Sequence, residues 1–400
     1  MNVDVAVVGG GPAGAVVAAL VARRGRRVVL LERSPAYRWR ACGVFSSPAS
    51  VAILHELGLD EGVIRRIARP APAMRVETPG GARVRLTYGD RGTLAEGAVS
   101  FDRSALDPAL VELARAAGAE VRLRTTVTSV APGRLMVRDA GDGSGEFAIN
   151  AGVIVGADGI RSTVARAFGV VRPARLGRRV GLTFHVADAR PDEPRDARMI
   201  LLRDGYVGLA PVPGGRVNVG VVLGASWAAR LRADGPERTV DAVLAEIPPA
   251  DDDPTNWQRA VRRDSIEGAV PLGHRVARRH GPGWLLVGDA AGFLDPFTGE
   301  GLHRALVSAG LAADAIDLHL DGDRTALAAY DRALTARFRS KDVVSLVVQA
   351  FLARPRAFEY AARRLAARGG VRETMGLVMG DLIPASRALD PRFLAALLRP

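Results

Sequence analysis

The stretch that decides the fold is VVGGGPAGAVVAAL, residues 7–20, which sets Gly9, Gly11 and Gly14 between an apolar run and an Ala/Val-rich segment. Val5 to Val8 has the unbroken apolar character of a buried parallel strand. Pro12-Ala13-Gly14 then leads into small and apolar residues suited to a helix packed on a sheet. A second apolar run, Val28 to Leu31, ends in Glu32. Together these make a β-α-β unit with G-x-G-x-x-G at its first turn and an acid at the end of its second strand. In such a unit Gly9 permits the tight turn, Gly11 lets the backbone approach a pyrophosphate, and Gly14 lets helix and strand pack closely. The helix N-terminus offers free N–H groups and partial positive charge to a diphosphate. Glu32 can accept hydrogen bonds from a ribose hydroxyl pair. A bare glycine triplet would be weak evidence. With both strands, the helix and the acid in place, the stretch reads as a dinucleotide cradle.

Composition narrows the class. The chain has 400 residues, enough for two or three packed units. Hydrophobic residues make up 48% and charged residues 24%, the balance of a globular protein. The net charge is +12, yet it is carried by scattered arginines, with Lys341 the only lysine, and aromatics are only 5%. No basic block or stacking surface points to nucleic acid. Cys42 is the single cysteine, so no disulfide framework or thiolate metal cluster is expected, and no His/Asp/Glu spacing suggests a metal site. The N-terminal residues show no secretory pattern, and no apolar run approaches the roughly 20 residues of a membrane span. A cytoplasmic location is expected.

A second segment, WLLVGDAAGFLDPFTGEGLHRAL at residues 284–306, resembles the GDAA…P…G-x-G region of glutathione-reductase-type FAD enzymes. Within them it is similar to the aromatic-hydroxylase and geranylgeranyl-reductase branch. The resemblance implies that FAD is the cofactor and that Asp289, after Gly288, holds its ribityl chain. The turn Thr298-Gly299-Glu300-Gly301, between Pro296 and Leu302, would bring a helix starting near Thr298 to the pyrimidine edge of the flavin. A helix N-terminus favours the negative charge of a reduced flavin there. Residues 99–121 resemble the family's R-x-x-L-D-x-x-L helix, in which Arg103 reaches the diphosphate. Residues 153–169 resemble its Asp-Gly motif, with Asp158 on the ribose side and Arg166 where a partner stays open. By the same resemblance Pro12, Ala13, Arg33, Arg40, Cys42, Gly43, Val127 and Ala157 join the cofactor site.

The expected fold class is α/β: a Rossmann-type FAD-binding domain, an inserted antiparallel β-sheet substrate domain and a helical C-terminal region. Residues 1–178 and 270–320 form the FAD-binding unit, with a hairpin insertion at 71–99. Residues 179–269 alternate like an antiparallel sheet and would cover substrate, and 321–400 read as helices. Arg363, Arg364 and Arg368 lie on a basic amphipathic stretch there, which suits either a solvated face or a weak peripheral membrane contact.

FAD would perform the redox step, with NAD(P)H as a transient co-substrate, since no second G-x-G-x-x-G follows. The lone cysteine speaks against disulfide reductases. Halogenases of this kind carry W-x-W-x-I-P and a relay lysine, and the chain lacks the motif. CG-x-F-x-S-P, Cys42 to Pro48, resembles hydroxylases of aromatic polyketide pathways. The favoured reading is therefore an FAD-dependent monooxygenase in which a flavin C4a-hydroperoxide oxygenates an aromatic or polyketide-type secondary metabolite with O2. Alternatives are a geranylgeranyl-reductase-like enzyme acting on C=C bonds of prenyl or lipid substrates, and a redox-neutral or structural flavoprotein. For the reductase stand DPFTGEGL and the spacing at Arg166; against it stands Tyr206-Val207-Gly208, where the reductases show Y-x-W. Candidate catalytic groups are His185 and His303 as bases, Tyr206 to orient substrate, and the Cys42 thiol. Each also has a plain structural reading. A monomer or homodimer is expected.

Overall fold

The structure is a computed structural model that describes the chain except residues 38–42, 89–96, 141–144, 175–178, 248–259, 271 and 400. Its first sheet is built outward from Asn2–Val8. That strand pairs in parallel with Val28–Leu31 on one side and Glu146–Gly156 on the other. Glu120–Arg122 and Trp284–Leu286 extend the parallel order at either end. Thr125–Ala131 and Arg134–Asp139 add an antiparallel arm. The central strands are apolar because helices cover them on both faces.

The helix Pro12–Arg23 is buried along nearly its whole length, which its alanines and glycine permit. Helices Arg103–Ala116 and Gly301–Leu320 pack against it. Arg26 fastens the far end of the last by bonds of 2.7 Å to Asp317 and 2.7 Å to Asp321. This is the Rossmann-type unit read from residues 7–32.

Among the described residues a second sheet has seven strands. Val180–Ala187, Arg216–Leu223, Gly205–Val212 and Ala197–Leu202 form its antiparallel centre. The hairpin Ala73–Glu77 and Arg83–Thr87 extends it, because Ala73–Glu77 pairs in parallel with Ala197–Leu202. The hairpin expected as an insertion in the cofactor unit thus belongs to the second sheet. Strand alternation gives this sheet two apolar faces. Phe184, Leu209 and Val219 meet Val240 and Val243 of the helix Trp227–Ala245 on the outer face. The inner face turns toward the first unit.

The C-terminal region is helical, as expected. Ala326–Leu352 runs beside Gly301–Leu320, and Pro355–Ala367 and Gly369–Met379 fold back onto the hairpin. Ala362, Met375 and Met379 share one apolar cluster with Val84 and Leu86. Two arginines of the basic stretch make intramolecular bonds at the surface. Arg363 bonds Glu359 at 2.7 Å and the Gly80 carbonyl at 2.9 Å, and Arg368 bonds the Arg399 carbonyl at 2.8 Å. Among the described residues no helix is long and apolar enough to cross a membrane.

Gly376 marks the tightest point of this docking, since any side chain there would fall on the Thr87 carbonyl. Gly376→Leu is expected to lever the helix off the hairpin and destabilise the protein by about 1–3 kcal/mol, the range for overpacking. Limited proteolysis would then cleave between residues 353 and 380, where the parent chain resists.

Candidate active site at the cofactor cradle and the facing sheet

The three cradle glycines play different parts. Gly9 has φ +106°, and a Cβ there would lie 2.5 Å from the Ala157 oxygen. A Cβ on Gly14 would land on the Gly9 carbonyl, with the Ala157 methyl also close. A Cβ on Gly11 would meet nothing within 4 Å. Two glycines therefore serve close packing, with Ala157 as their partner. The third faces open space at the N-terminus of Pro12–Arg23, where a diphosphate can approach free amides. Ala13 is buried behind it.

Glu32 is buried and oriented by backbone amides: Gly10 donates to Oε2 at 2.9 Å and Ser34 to Oε1 at 2.9 Å. Arg33 beside it is exposed. The Thr125 amide donates to the Glu32 carbonyl at 3.0 Å, which sets Val127 near the same edge. Asp158 accepts from the Thr163 amide at 2.6 Å through Oδ2. Its Oδ1 is buried and has no protein partner among the described residues. Arg166 bonds Thr163 Oγ1 at 3.1 Å and not Asp158.

Arg103, Gly43 and Asp289 converge on this groove. Arg103 is held by Asp107 at 2.8 and 3.1 Å and donates to the Gly43 carbonyl at 3.5 Å. Burial pushes the Asp289 carboxyl up to about 6, opposed by the charges of Arg103 and Arg304. The Gly288 amide is anchored on Ser308 Oγ at 2.9 Å. The following turn differs from expectation. Pro296–Thr298 is a 3-10 turn, Gly299 adopts φ 67°, and the helix begins at Gly301 rather than near Thr298. Glu300 stays below the turn, accepting from Thr298 Oγ1 at 2.8 Å and Ser345 Oγ at 3.1 Å. A Cβ on Gly301 would meet nothing within 4 Å, so a second helix N-terminus faces open space, with Leu302 buried behind it.

The catalytic candidates separate. His185 and Tyr206 lie on the inner face of the second sheet. His185 Nδ1 is 2.6 Å from Asp264 Oδ2, and its amide donates to Asp264 Oδ1 at 2.7 Å. Burial lowers its pKa despite that carboxylate, so the ring is neutral near pH 7. Tyr206 donates to Asp295 Oδ1 at 2.6 Å, and burial together with Asp295 holds its phenol well above the usual range. His303 is not brought to this face. It is only 2% exposed and packs edge-on against Phe338 of the next helix. Arg40 and Cys42 lie outside the described residues. Lys341 is tied to Asp381 Oδ1 and the Val378 carbonyl, each at 2.7 Å.

Sequence reading did not find Asp295, which also accepts from Arg179 at 2.7 Å and from the Phe297 amide at 3.0 Å. Nor did it find Asp264 or Asn218. An aspartate before Pro296 signals a cap, but nothing in the chain shows which strand it will meet.

A parallel-sheet dinucleotide cradle, a second open helix N-terminus and a facing sheet define an FAD-dependent oxidoreductase. The orphaned Asp158 oxygen and the open Gly11 fit that cofactor. The chain belongs to the FAD binding domain family, which it matches over residues 2–344. It is 31% identical over 321 residues to the menaquinone reductase of Mycolicibacterium smegmatis, covering 78% of this chain and 75% of that protein. It is 27% identical over 332 residues to the digeranylgeranylglycerophospholipid reductase of Methanosarcina mazei, covering 78% and 74%. The myxobacterial chondrochloren halogenase, an FAD-dependent enzyme, superposes with TM-score 0.75 at 26% identity, covering 87% of this chain and 82% of that one.

The different parts of the glycines are separable. Gly11→Val is expected to fold with parent-like circular dichroism and purify without FAD, whereas Gly14→Val is expected to fail to fold. Asp289 supplies a second test. A carboxyl raised from 3.8 to about 6 binds more protons folded than unfolded, so stability falls as pH rises through that window. Above it the apoprotein carries the full penalty, about 3 kcal/mol at 1.4 kcal/mol per unit. Asp289→Asn is expected to melt higher than the parent apoprotein at pH 8, to match it near pH 4, and to bind FAD more weakly.

Proposed function

We propose that the protein is an FAD-dependent reductase of carbon–carbon double bonds in an apolar, isoprenoid-type substrate, with NAD(P)H as the electron donor. Gly11, Glu32, Arg103, Asp158, Asp289 and the Gly299–Gly301 turn would hold the cofactor. Bound reduced FAD supplies a hydride. The observation that carries the reading is the apolar character of the sheet face opposite the cofactor turn. Met199, Leu201 and Tyr206 share one cluster with Leu272, Phe293 and Phe297. Tyr206 and Phe297 meet edge-on with ring centroids 5.1 Å apart. Such an apolar lining keeps water from the cofactor turn and can border a hydrocarbon chain. Menaquinone and digeranylgeranyl lipids, the compounds in the relatives' names, both carry such chains.

A monooxygenase is the second reading, favoured by the neutral His185 held by Asp264, an arrangement suited to taking a phenolic proton. Halogenation lacks support, because Lys341 is committed to Asp381 and the chain has no W-x-W-x-I-P. The two readings part in an anaerobic experiment. Holoenzyme reduced with one equivalent of dithionite and mixed anaerobically with menaquinone in detergent is expected to recover its oxidised flavin absorbance and to yield, after the quinone ring is reoxidised in air, menaquinone with one chain double bond saturated. No recovery with menaquinone or a geranylgeranyl lipid, together with oxygen-dependent consumption of a phenol, would reverse the choice.

A further inference from the structure

The inner face of the second sheet contains a bare patch that packing does not explain. Strand register arranges this face in rows. His185, Asn218 and Ala210 lie side by side, then Thr183, Gly220, Gly208 and Met199, then Gly181, Val222 and Tyr206. The middle row therefore holds two adjacent glycines. Neither has a positive φ, so the backbone does not demand glycine there. A Cβ on Gly220 would meet only the Gly208 oxygen, at 3.9 Å, and one on Gly208 would come no closer than 3.7 Å, to Met199 Cε. Gly181 differs, since Leu272 stands 2.8 Å from its Cβ position. Both glycines of the middle row keep partial exposure inside strands that are otherwise mostly buried. Glycine weakens a strand interior and often marks close approach of a ligand.

The cofactor unit walls this patch at both ends. Ala210 and Val212 pack on Val44, and Tyr206 meets Asp295 and Phe297. One row away stands Asn218, 5% exposed, with its Nδ2 lacking a hydrogen-bond partner among the described residues. A buried amide donor left unpaired carries a desolvation penalty that a ligand oxygen would remove.

We propose that Gly208 and Gly220 form the floor on which a flat, conjugated part of the substrate lies, and that Asn218 Nδ2 donates to its carbonyl oxygen. A flat floor with a single amide donor suits a quinone-type ring. The assignment rests on the reductase reading for its choice of substrate, but its test does not require turnover.

The probe is menadione, a naphthoquinone without a chain, titrated into oxidised holoenzyme and followed by its perturbation of the flavin spectrum. Gly220→Ala, Gly220→Val and Gly220→Leu are expected to keep full FAD content while Kd rises in that order, by tenfold or more for leucine. Asn218→Leu is expected to raise Kd about tenfold, the equivalent of one hydrogen bond near 1.4 kcal/mol. Parent-like Kd in Gly220→Leu and Asn218→Leu, or no menadione binding by the parent protein, would overturn the assignment. Graded loss of binding in a protein that reduces no isoprenoid would uphold the floor and sink the reductase reading instead.

Discussion

The arrangement depends on one buried carboxylate. Asp295 accepts from Tyr206 on the second sheet, from Arg179 at its edge and from the Phe297 amide in its own turn. Arg179 in turn donates to Gln349 of the long C-terminal helix at 2.6 Å. A buried charge must be paired, and removing one partner of such a pair typically destabilises by about 3–5 kcal/mol. Three parts of the chain are therefore held to one point, between the turn at Pro296 and the sheet face opposite it. The apolar residues on either side could slide, but this network has one geometry.

The cofactor side is organised by a different constraint. Backbone must approach the diphosphate closely, so Gly9 and Gly14 give up their side chains to pack against Ala157, and Gly11 gives up its own to leave room. Asp289 is a charge placed where protein atoms desolvate it, and Asp158 keeps an oxygen without a protein partner. These features cost stability in the apoprotein and are offset when a ligand binds. The same logic links them to the unpaired Asn218 amide and the bare glycine pair across the groove.

Much of the cofactor unit was legible because its physics is local. Strand, glycine turn, helix, strand and acid follow one another within residues 2–32, and the GDAA segment likewise carries its own turn. The second sheet was legible in outline from strand alternation. What could not be read is what register decides. Ala73–Glu77 joins that sheet through a parallel pairing with residues more than a hundred positions away. Gly208 becomes a floor only because Gly220 lies beside it. His303 sits two residues past Gly301, yet its side chain turns to Phe338, a matter of helix phase set by the start at Gly301.

The most direct measurement is the product of a single aerobic turnover under isotopically heavy dioxygen, with NAD(P)H and menaquinone supplied to the holoenzyme. The expected product has one chain double bond saturated, keeps those two hydrogens after the quinone ring is reoxidised, and carries no heavy oxygen. A product bearing one heavy oxygen atom would contradict the reductase reading and make the protein a monooxygenase.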